Sequence, residues 1–325
     1  QKIFKTVSTY DENIYNWLSK SNLKEKKIIL KYGENPNQKA KFIPNKGKAS
    51  VFTEQIQGKQ IGFNNILDIE SGLNCINEFK EPTCVIIKHN NPCGISSSKS
   101  INIAFKKAYE SDSESSFGGI VILNRAVNEK LATLLIKNFF EVVAAKSFDK
   151  KALKILSVKK KLILIKTKNI LIKNQIEIKS AIGGNLIQEK NFIKIKKNEI
   201  KCVANKMNQN LEDIIFALKV CKHVKSNAIV LVKNKQTVGI GAGQMSRSDA
   251  TKIAIMKLKQ KNNIEKFVAA SDAFFPFTDN IKRLKKAGCQ TIIQPYGSKN
   301  DYKIINYAIK SNIGLYFTKY RFFKH

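Results

Sequence analysis

Short apolar runs of strand length alternate along this chain with longer segments of helical spacing. Strands are predicted at 83–87 (TCVII), 119–123 (GIVIL), 228–232 (AIVLV), 267–270 and 291–293. Helices are predicted at 101–109, 128–137, 249–259 and 279–287. The last helix is expected to stop at Gly288, because glycine is common just after a helix end. The alternation of the two patterns predicts an α/β fold.

A short polar segment, 233–236 (KNKQ), separates the apolar run AIVLV from the next one, TVGIG. It predicts a hairpin, so we expect a mixed sheet rather than a purely parallel one. An apolar run followed by a polar loop occurs around Lys88 and again around Asn227. With a soft boundary in the lysine-rich stretch near 190–201, we predict two subdomains at 1–195 and 196–325.

The chain has 325 residues, of which 43% are hydrophobic, enough to bury substantial cores. Its formal net charge of +33 raises the question of a nucleic-acid or anionic-surface partner. The lysines are spread along the chain together with Ile and Asn, rather than gathered in one arm. The charge therefore favours a solvated surface with long-range attraction for phosphorylated or polyglutamylated anions over a specific nucleic-acid site.

The cysteine pattern and the absence of long apolar runs indicate a cytoplasmic protein. The six cysteines include no CxxC pair, so reduced thiols are expected. No apolar run reaches the ~20 residues that cross a bilayer, and no signal-peptide pattern opens the chain. We therefore expect a soluble protein in the cytoplasm.

The segment 83–94 (TCVIIKHNNPCG) holds the strongest candidate chemistry. A buried-strand pattern ends in polar residues, after which Pro92 and Gly94 are expected to form a turn. Side chains at a strand end are fixed in position yet reachable, as ligand sites of α/β proteins require. His89 is a candidate general base, and Lys88 is a candidate for holding phosphate or stabilising negative charge. A surface loop with an incidental histidine is the alternative.

Pro92 and Cys93 match part of the zinc deaminase signature, which pairs H-x-E with P-C-x-x-C. The signature is incomplete here, because Ser96 stands at the second cysteine position and no H-x-E occurs. We therefore predict no metal site and no zinc.

The segment 238–247 (VGIGAGQMSR) has glycines that allow a ligand close to the backbone, but neither dinucleotide-binding nor Walker spacing. It leads into a helix for which Ser248 is the expected N-cap. Arg247 is a candidate for binding phosphate or carboxylate. An exposed arginine at a helix start is the alternative.

Two further segments combine aromatic and charged residues. In 271–280 (SDAFFPFTDN), three phenylalanines either seal a core or supply one or two rings that stack on a flat heterocycle. Asp279 either caps the following helix, the preferred local interpretation, or contacts such a ring. The C-terminal RFFKH is a disordered basic tail by composition, and a docked tail is the alternative.

Seven segments, taken in order, resemble the family of aminoimidazole carboxamide ribonucleotide (AICAR) transformylases, whose bifunctional members also carry inosine monophosphate (IMP) cyclohydrolase. The resemblance covers nearly the whole chain. The segments are LKYGENPNQKA (30–40), IIKHNNPCG (86–94), SSFGGIVILNR (115–125), AIGGNLIQ (181–188), VKSNAIVLVKNKQTVGIGAGQMSR (224–247), SDAFFPFTDNI (271–281) and FTKYRFFKH (317–325).

The resemblance implies two tandem cytidine-deaminase-like α/β subdomains with mixed sheets and no zinc, in a homodimer with active sites at the subunit interface. It implies transfer of the formyl group of 10-formyltetrahydrofolate, the cosubstrate, to the 5-amino group of AICAR. It leaves a monovalent cation open. An upstream IMP cyclohydrolase domain is expected only in a longer chain. The rival hypothesis is a polyanion- or nucleic-acid-binding protein that keeps the fold without turnover.

Residue roles follow from the same resemblance. The implied catalytic residues are Lys88, His89 and Asn227. The implied substrate-binding residues are Lys31, Tyr32, Phe117, Gly118, Arg247, Phe274 and Arg321. The implied folate-binding residues are Phe277, Asp279 and Asn280, and His325 matches a terminal histidine that suggests a docked tail. The chain departs from the family pattern at Lys31, Asn37, Thr278, Tyr296 and Phe322, which leaves rate and affinity open.

Overall fold

A computed structural model describes residues 6, 9–10, 27–44, 50–167, 176–191, 193–205, 211–260 and 264–325. The strands described are β1 (Ile28–Leu30), β2 (Ala40–Phe42), β3 (Gln55–Gln57), β4 (Thr83–Lys88), β5 (Asn91–Ser97), β6 (Gly119–Leu123), β7 (Phe140–Ala145), β8 (Ile163–Lys166), β9 (Ile176–Ala181), β10 (Gly184–Glu189), β11 (Lys201–Ala204), β12 (Ile229–Lys233), β13 (Gln236–Gly241), β14 (Phe267–Ser271), β15 (Cys289–Pro295) and β16 (Gly314–Thr318). The α-helices are α1 (Phe63–Ile76), α2 (Ile101–Ser111), α3 (Glu129–Ile136), α4 (Lys150–Leu156), α5 (Leu211–Cys221), α6 (Arg247–Lys259), α7 (Asp279–Lys286) and α8 (Asp301–Lys310).

One sheet of 12 strands runs through the molecule in the order β11-β16-β15-β14-β12-β13-β5-β4-β6-β7-β8-β3. From its centre outward, β5-β4-β6-β7-β8-β3 on one side mirrors β13-β12-β14-β15-β16-β11 on the other. Each half therefore repeats the same order of elements, and the halves meet where Ser96 of β5 pairs with Gln236 of β13. The hairpins are antiparallel, whereas β6-β7-β8 and β14-β15-β16 are parallel. The predicted mixed sheet is confirmed.

Helices cover both faces of this sheet. On one face, α1 and α5 share a single core in which Ile69 and Leu73 of the first half lie with Ile214 and Phe216 of the second. On the other face, α2–α4 and α6–α8 cover two separate cores, one for each half. The predicted α/β class is confirmed, and the shared core joins the two halves.

Two glycines at equivalent positions let a helix lie directly on a central strand. A Cβ atom at Gly94 would stand 2.0 Å from the carbonyl oxygen of Ala108 in α2, and one at Gly239 would stand 2.2 Å from that of Ala254 in α6. Both distances are far below contact, so a side chain would push the helix away from the strand. The internal repeat thus extends to individual packing contacts.

The predicted strands and helices are all present, with small differences at their ends. The hairpin predicted at 233–236 is confirmed, since Asn234 and Lys235 form its two-residue turn with φ of 53° each. The predicted N-cap Ser248 is wrong. The helix begins earlier, at Arg247, because the side chain of Ser246 accepts the N–H of Asp249.

Among the described residues, no helix combines the length and the apolar character that a bilayer crossing needs.

Candidate active site

The turn between β4 and β5 consists of His89 and Asn90, both in the left-handed region with φ of 48° and 63°. Lys88 and Asn91 pair across it. The expected turn at Pro92 and Gly94 is therefore wrong, because both belong to β5 and lie beside an irregularity in its pairing with β4. The tight turn leaves His89 exposed at the tip.

Lys88 ends β4 and reaches the loop before β6. Its Nζ donates to the carbonyl oxygen of Phe117 at 2.9 Å. Gly118, with φ of 65°, leaves room for this contact, since a Cβ there would stand 3.1 Å from Nζ. The Phe117 ring is 67% exposed and its centroid lies 5.1 Å from that of Phe139. The structure thus brings Lys88, Phe117 and Gly118 together.

Two carboxylates lie near Lys88, and neither was singled out from the sequence. Glu141 on β7 accepts hydrogen bonds from Asn65 at 3.0 Å and Lys59 at 3.3 Å. Burial acts to raise the pKa of Glu141, but the Asn65 bond and the Lys59 charge hold it below its ordinary value, with a contribution from Lys88. Asp68 on α1 accepts the backbone N–H of Asn90 at 2.6 Å. Burial raises the pKa of Asp68, and this bond and the charges of His89 and Lys88 oppose the rise.

Asn227 lies just before β12, next to the end of β13. Its Nδ2 donates to the carbonyl oxygens of Gln244 at 2.8 Å and Met245 at 3.2 Å, which fixes it against the glycine-rich loop. The segment leading to Asn227 is tied to the β4–β5 hairpin, because the N–H of Lys225 donates to Oδ1 of Asn91 at 2.9 Å. The turn at His89 and the loop at Asn227 therefore lie at the same end of the central strands.

Arg247 is buried in an ion pair rather than exposed. Its side chain is 11% exposed, and Nη2 lies 3.0 Å from Oδ1 of the fully buried Asp272. Nη1 donates to the carbonyl oxygen of Phe274 at 3.3 Å. The alternative of an exposed arginine at a helix start is wrong. In this state the guanidinium positions the loop after β14, and a ligand anion would have to share it with Asp272.

Only one of the three phenylalanines of that loop is fully buried. Phe275 is fully buried in the core, whereas Phe277 is 67% exposed and Phe274 is half-buried. Asn280 is also buried, at 2% exposure, so a folate contact there requires its side chain to become accessible.

The preferred interpretation of Asp279 as a helix cap is wrong. The N-cap of α7 is Thr278, which makes no side-chain capping bond, and Asp279 is the first helical residue. A carboxylate in the first turn still interacts favourably with the helix dipole.

The segment of Lys31 and Tyr32 lies near the start of α1. Lys31 is exposed with its Nζ 5.9 Å from the Tyr32 ring centroid. Nδ2 of Asn64, in the first turn of α1, donates to the carbonyl oxygen of Glu34 at 3.1 Å. Because Asn65 follows with its bond to Glu141, this segment lies at the edge of the same region.

The C-terminal tail is docked, so the disordered tail expected from composition is wrong and the docked alternative is confirmed. Phe322 is 1% exposed, and its N–H donates to the carbonyl oxygen of Asp272 at 2.9 Å. Nζ of Lys324 donates to Oγ of Ser71 and to the carbonyl oxygen of His223, both at 3.1 Å. Arg321 is exposed, with its guanidinium carbon 4.4 Å from the Phe323 ring centroid. His325 is exposed at the end of this tail.

Cys93 lies in β5 close to Lys88. Burial raises the pKa of its thiol to about 12, which favours the protonated thiol near neutral pH. Within the described parts of the chain, no three His, Cys, Asp or Glu side chains form a group that could hold a metal ion.

Residues 1–257 match a family model described as AICARFT/IMPCHase bienzyme. The chain belongs to this family. The resemblance found in the seven sequence segments is thereby confirmed.

Several relatives in the AICARFT/IMPCHase family carry the name bifunctional purine biosynthesis protein PurH. The one from Thermoanaerobacter sp. (strain X514) is 45% identical over 338 residues, covering 100% of this chain and 66% of that protein. The one from Buchnera aphidicola subsp. Baizongia pistaciae is 43% identical over 351 residues, covering 99% of this chain and 66% of that protein. A third, from Persephonella marina, is 43% identical and covers 92% of this chain. The chain thus spans about two thirds of the length of the first two relatives.

Four residues with side-chain contacts in the candidate site of this AICARFT/IMPCHase chain were not assigned a role from the sequence: Asp68, Glu141, Asp272 and Lys324. Asp272 lies two residues after the predicted strand 267–270, which is a usable signal. Asp68 and Glu141 lie inside a helix and a strand, where their spacing does not distinguish them from solvated surface acids.

Proposed function

We propose that this chain is an AICAR formyltransferase, which transfers the formyl group of 10-formyltetrahydrofolate to the 5-amino group of AICAR in purine biosynthesis. Membership of the AICARFT/IMPCHase family supports this reaction, as does the name of the relatives, bifunctional purine biosynthesis protein PurH. The observation that carries the proposal is the contact of Lys88 with the Phe117–Gly118 loop, one residue before the exposed His89. A longer form of the protein would add IMP cyclohydrolase.

In the proposed reaction, the 5-amino nitrogen of AICAR attacks the formyl carbon and a new N–C bond forms. The bond between that carbon and N10 of the folate then breaks. The products are formamido-AICAR and tetrahydrofolate, and no redox partner is needed. The amine must lose a proton, and the folate nitrogen must gain one.

His89 is the proposed acceptor of the amine proton, since it stands exposed at the tip of a tight turn and imidazole is the side chain most often used as a general base. The ammonium group of Lys88 would stabilise the negative charge on the formyl oxygen or protonate the leaving nitrogen. Its bond to the Phe117 carbonyl at 2.9 Å orients that ammonium group. Asn227, held by two backbone carbonyls, would position the reacting groups.

The binding roles are proposed on the same basis. Phe117 and Gly118 line the nucleotide pocket next to Lys88, and Lys31, Tyr32, Arg321, Arg247 and Phe274 contribute to nucleotide binding. The exposed ring of Phe277, with Asp279 and Asn280, would contact the folate. Lys31 offers a single charge where a guanidinium would bind phosphate bidentately, so a weaker phosphate contact is expected there.

The finer architecture belongs to the proposal as well. The repeated order of elements is what two cytidine-deaminase-like subdomains would produce, with the boundary near residues 195 and 196. We propose no zinc, a homodimer with interfacial active sites, and a cytoplasmic location. The proposal leaves open a bound monovalent cation and assigns no residues to it.

A catalytically inactive polyanion-binding protein on the same fold is the competing function, motivated by the net charge of +33. Such a protein has no need for Lys88, His89 and Asn227, all of which are present.

The test is a spectrophotometric assay of tetrahydrofolate release from 10-formyltetrahydrofolate, with and without AICAR. The variants are Lys88→Ala and, as a matched control, Lys99→Ala, which removes an exposed lysine. AICAR-dependent release that Lys88→Ala abolishes and Lys99→Ala keeps is expected. No release from the folded wild-type chain would overturn the proposal in favour of the polyanion-binding function.

A further inference from the structure

In each half of the chain, a helix aspartate accepts hydrogen bonds from the turn of the central hairpin, and the two aspartates occupy equivalent positions in the repeat. In the first half, Asp68 of α1 accepts the backbone N–H of Asn90 at 2.6 Å. In the second half, Asp213 of α5 accepts the backbone N–H groups of Asn234 and Lys235, both at 2.7 Å. Helices α1 and α5 occupy the same place in the repeat, and so do the two turns. The aspartate is therefore a repeated device for holding a turn from the neighbouring helix.

Both turns need such a device. His89, Asn90, Asn234 and Lys235 all have positive φ, a conformation that residues other than glycine adopt at a cost. Turns of this kind match the twist of a hairpin, but they usually contain glycine. Because neither turn contains glycine, hydrogen bonds from outside the hairpin must stabilise the conformation.

The two devices differ in how the carboxylate is used. Asp213 uses both oxygens, one for each N–H of its turn. Asp68 uses Oδ1 alone, and among the described residues its Oδ2 has no hydrogen-bond partner. The carbonyl oxygen of Asn90 is held separately, since Oγ of Ser71 donates to it at 3.2 Å, and Nζ of Lys324 donates to that same Oγ. Helix α1 therefore holds both the N–H and the carbonyl oxygen of Asn90. The docked tail supports the second of these contacts through Ser71.

We propose that Asp68 is a positioning residue for formyl transfer, which fixes the His89–Asn90 turn so that the imidazole of His89 meets the substrate amine. This inference rests on the proposed function. Asp213 performs only the structural part of the task, since its turn carries no residue of the proposed site. The chain therefore contains its own control for a purely structural aspartate.

The charge of Asp68 adds to its positioning role. Lys88 is the cationic neighbour on its hairpin side, with His89 beside it, and Glu141 on β7 is the acidic neighbour. A carboxylate at this point attracts the ammonium group of Lys88 and resists its displacement towards solvent.

The experiment compares four variants in the full chain: Asp68→Ala, Asp68→Asn, Asp213→Ala and Asp213→Asn. Asparagine keeps an acceptor oxygen, so the Asn variants retain a hydrogen bond that the Ala variants lose. We expect Asp68→Ala to lower kcat by about 10- to 100-fold, as a displaced catalytic group would. KM for both substrates should stay within about threefold, because the binding residues are untouched. Asp68→Asn should recover much of the loss, and both Asp213 variants should keep the wild-type kcat.

Hydrogen exchange of the two hairpins provides a readout that does not depend on turnover. Asp68→Ala should accelerate exchange at 88–91 alone, and Asp213→Ala at 233–237 alone. An unchanged kcat in Asp68→Ala, or an equal loss of kcat in Asp213→Ala, would overturn the positioning role. If the wild-type chain transfers no formyl group, the proposed function fails and the positioning role falls with it. Exchange then decides whether Asp68 holds the turn at all.

Discussion

Nζ of Lys222 lies 2.7 Å from Oε1 of Glu78, in a buried ion pair that joins the two halves of the chain. Glu78 follows helix α1 and Lys222 follows helix α5, so the pair bridges the ends of equivalent helices. The two side chains are 15% and 6% exposed, and Nε2 of His223 lies 3.4 Å from the same oxygen. This cluster adds a directional link to the apolar core that α1 and α5 share.

Removing the Glu78 carboxylate should destabilise the protein strongly. Glu78→Ala leaves Lys222 buried without its counter-charge, which costs about 3–5 kcal/mol of unfolding free energy. The matched control is Glu129→Ala, whose partner Lys151 is 77% exposed and which should cost less than about 1 kcal/mol. Chemical denaturation measures both values, and equal losses would contradict a special role for the buried pair.

Glu78 should also make stability depend on pH in the acid range. Burial acts to raise its pKa, but hydrogen bonds from His223 and Lys222 outweigh burial and lower the pKa from 4.5 to about 2. Since the unfolded chain takes up this proton first, the stabilisation is complete above about pH 4.5 and is lost as the pH falls towards 2. Unfolding free energies measured across this window should fall more steeply for wild type than for Glu78→Gln. Parallel curves would show that Glu78 is not the group responsible.

The catalytic role of His89 can be separated from its role in the turn. His89→Ala should abolish formyl transfer and leave AICAR binding largely intact, as measured by calorimetry. His89→Asn is the control for the turn, because asparagine tolerates positive φ better than alanine does. We expect this variant to be equally inactive, since it keeps the turn and lacks a base. Unchanged turnover in either variant would remove His89 from the mechanism.

The glycines under α2 and α6 should be intolerant of a side chain. Gly94→Ala and Gly239→Ala each force a methyl group against a helix carbonyl oxygen, which should cost about 1–3 kcal/mol of stability. Gly184→Ala is the matched control, because nothing lies within 4 Å of a Cβ at that position. Thermal unfolding of the three variants tests this, and a stable Gly94→Ala protein would mean that the helix can shift at little cost.

The docked tail should depend on Phe322 rather than on Phe323. Phe322 is 1% exposed, and its truncation to alanine should cost about 3–5 kcal/mol. Phe323 is 44% exposed, so Phe323→Ala should cost less than about 1 kcal/mol. Limited proteolysis of the C terminus, together with chemical denaturation, distinguishes the two. Similar behaviour of both variants would contradict the observed docking.

Local sequence signals predicted half of the strands of the central sheet and half of the described α-helices, because buried strands and amphipathic helices have distinct apolar spacing. They failed at particular points. Pro92 and Gly94 suggested a turn, yet the turn consists of His89 and Asn90, which both have positive φ. Arg247 looked like an exposed helix-start residue as readily as a ligand contact, and only its partner Asp272, 25 residues away, ruled out the exposed arginine.

Local sequence signals likewise indicated some residues of the candidate site and missed others. Lys88 and His89 were singled out as candidates because an apolar strand ends there in a polar segment, and Asn227 was implied by the family resemblance. Asp68 and Glu141 were missed, because the residues that make them distinctive lie far away along the chain. Asp68 contacts Asn90, and Glu141 contacts Lys59 and Asn65.

The sequence by itself determined the fold class, the positions of the main elements, the family and the motif residues, since these depend on local spacing and residue type. Only the tertiary structure decided that the two halves repeat each other, that Asp68 and Asp213 hold equivalent turns, and that the tail docks against Asp272 and Ser71. The physical reason is that hydrogen bonds and ion pairs act over a few ångströms in space, whatever the separation along the chain.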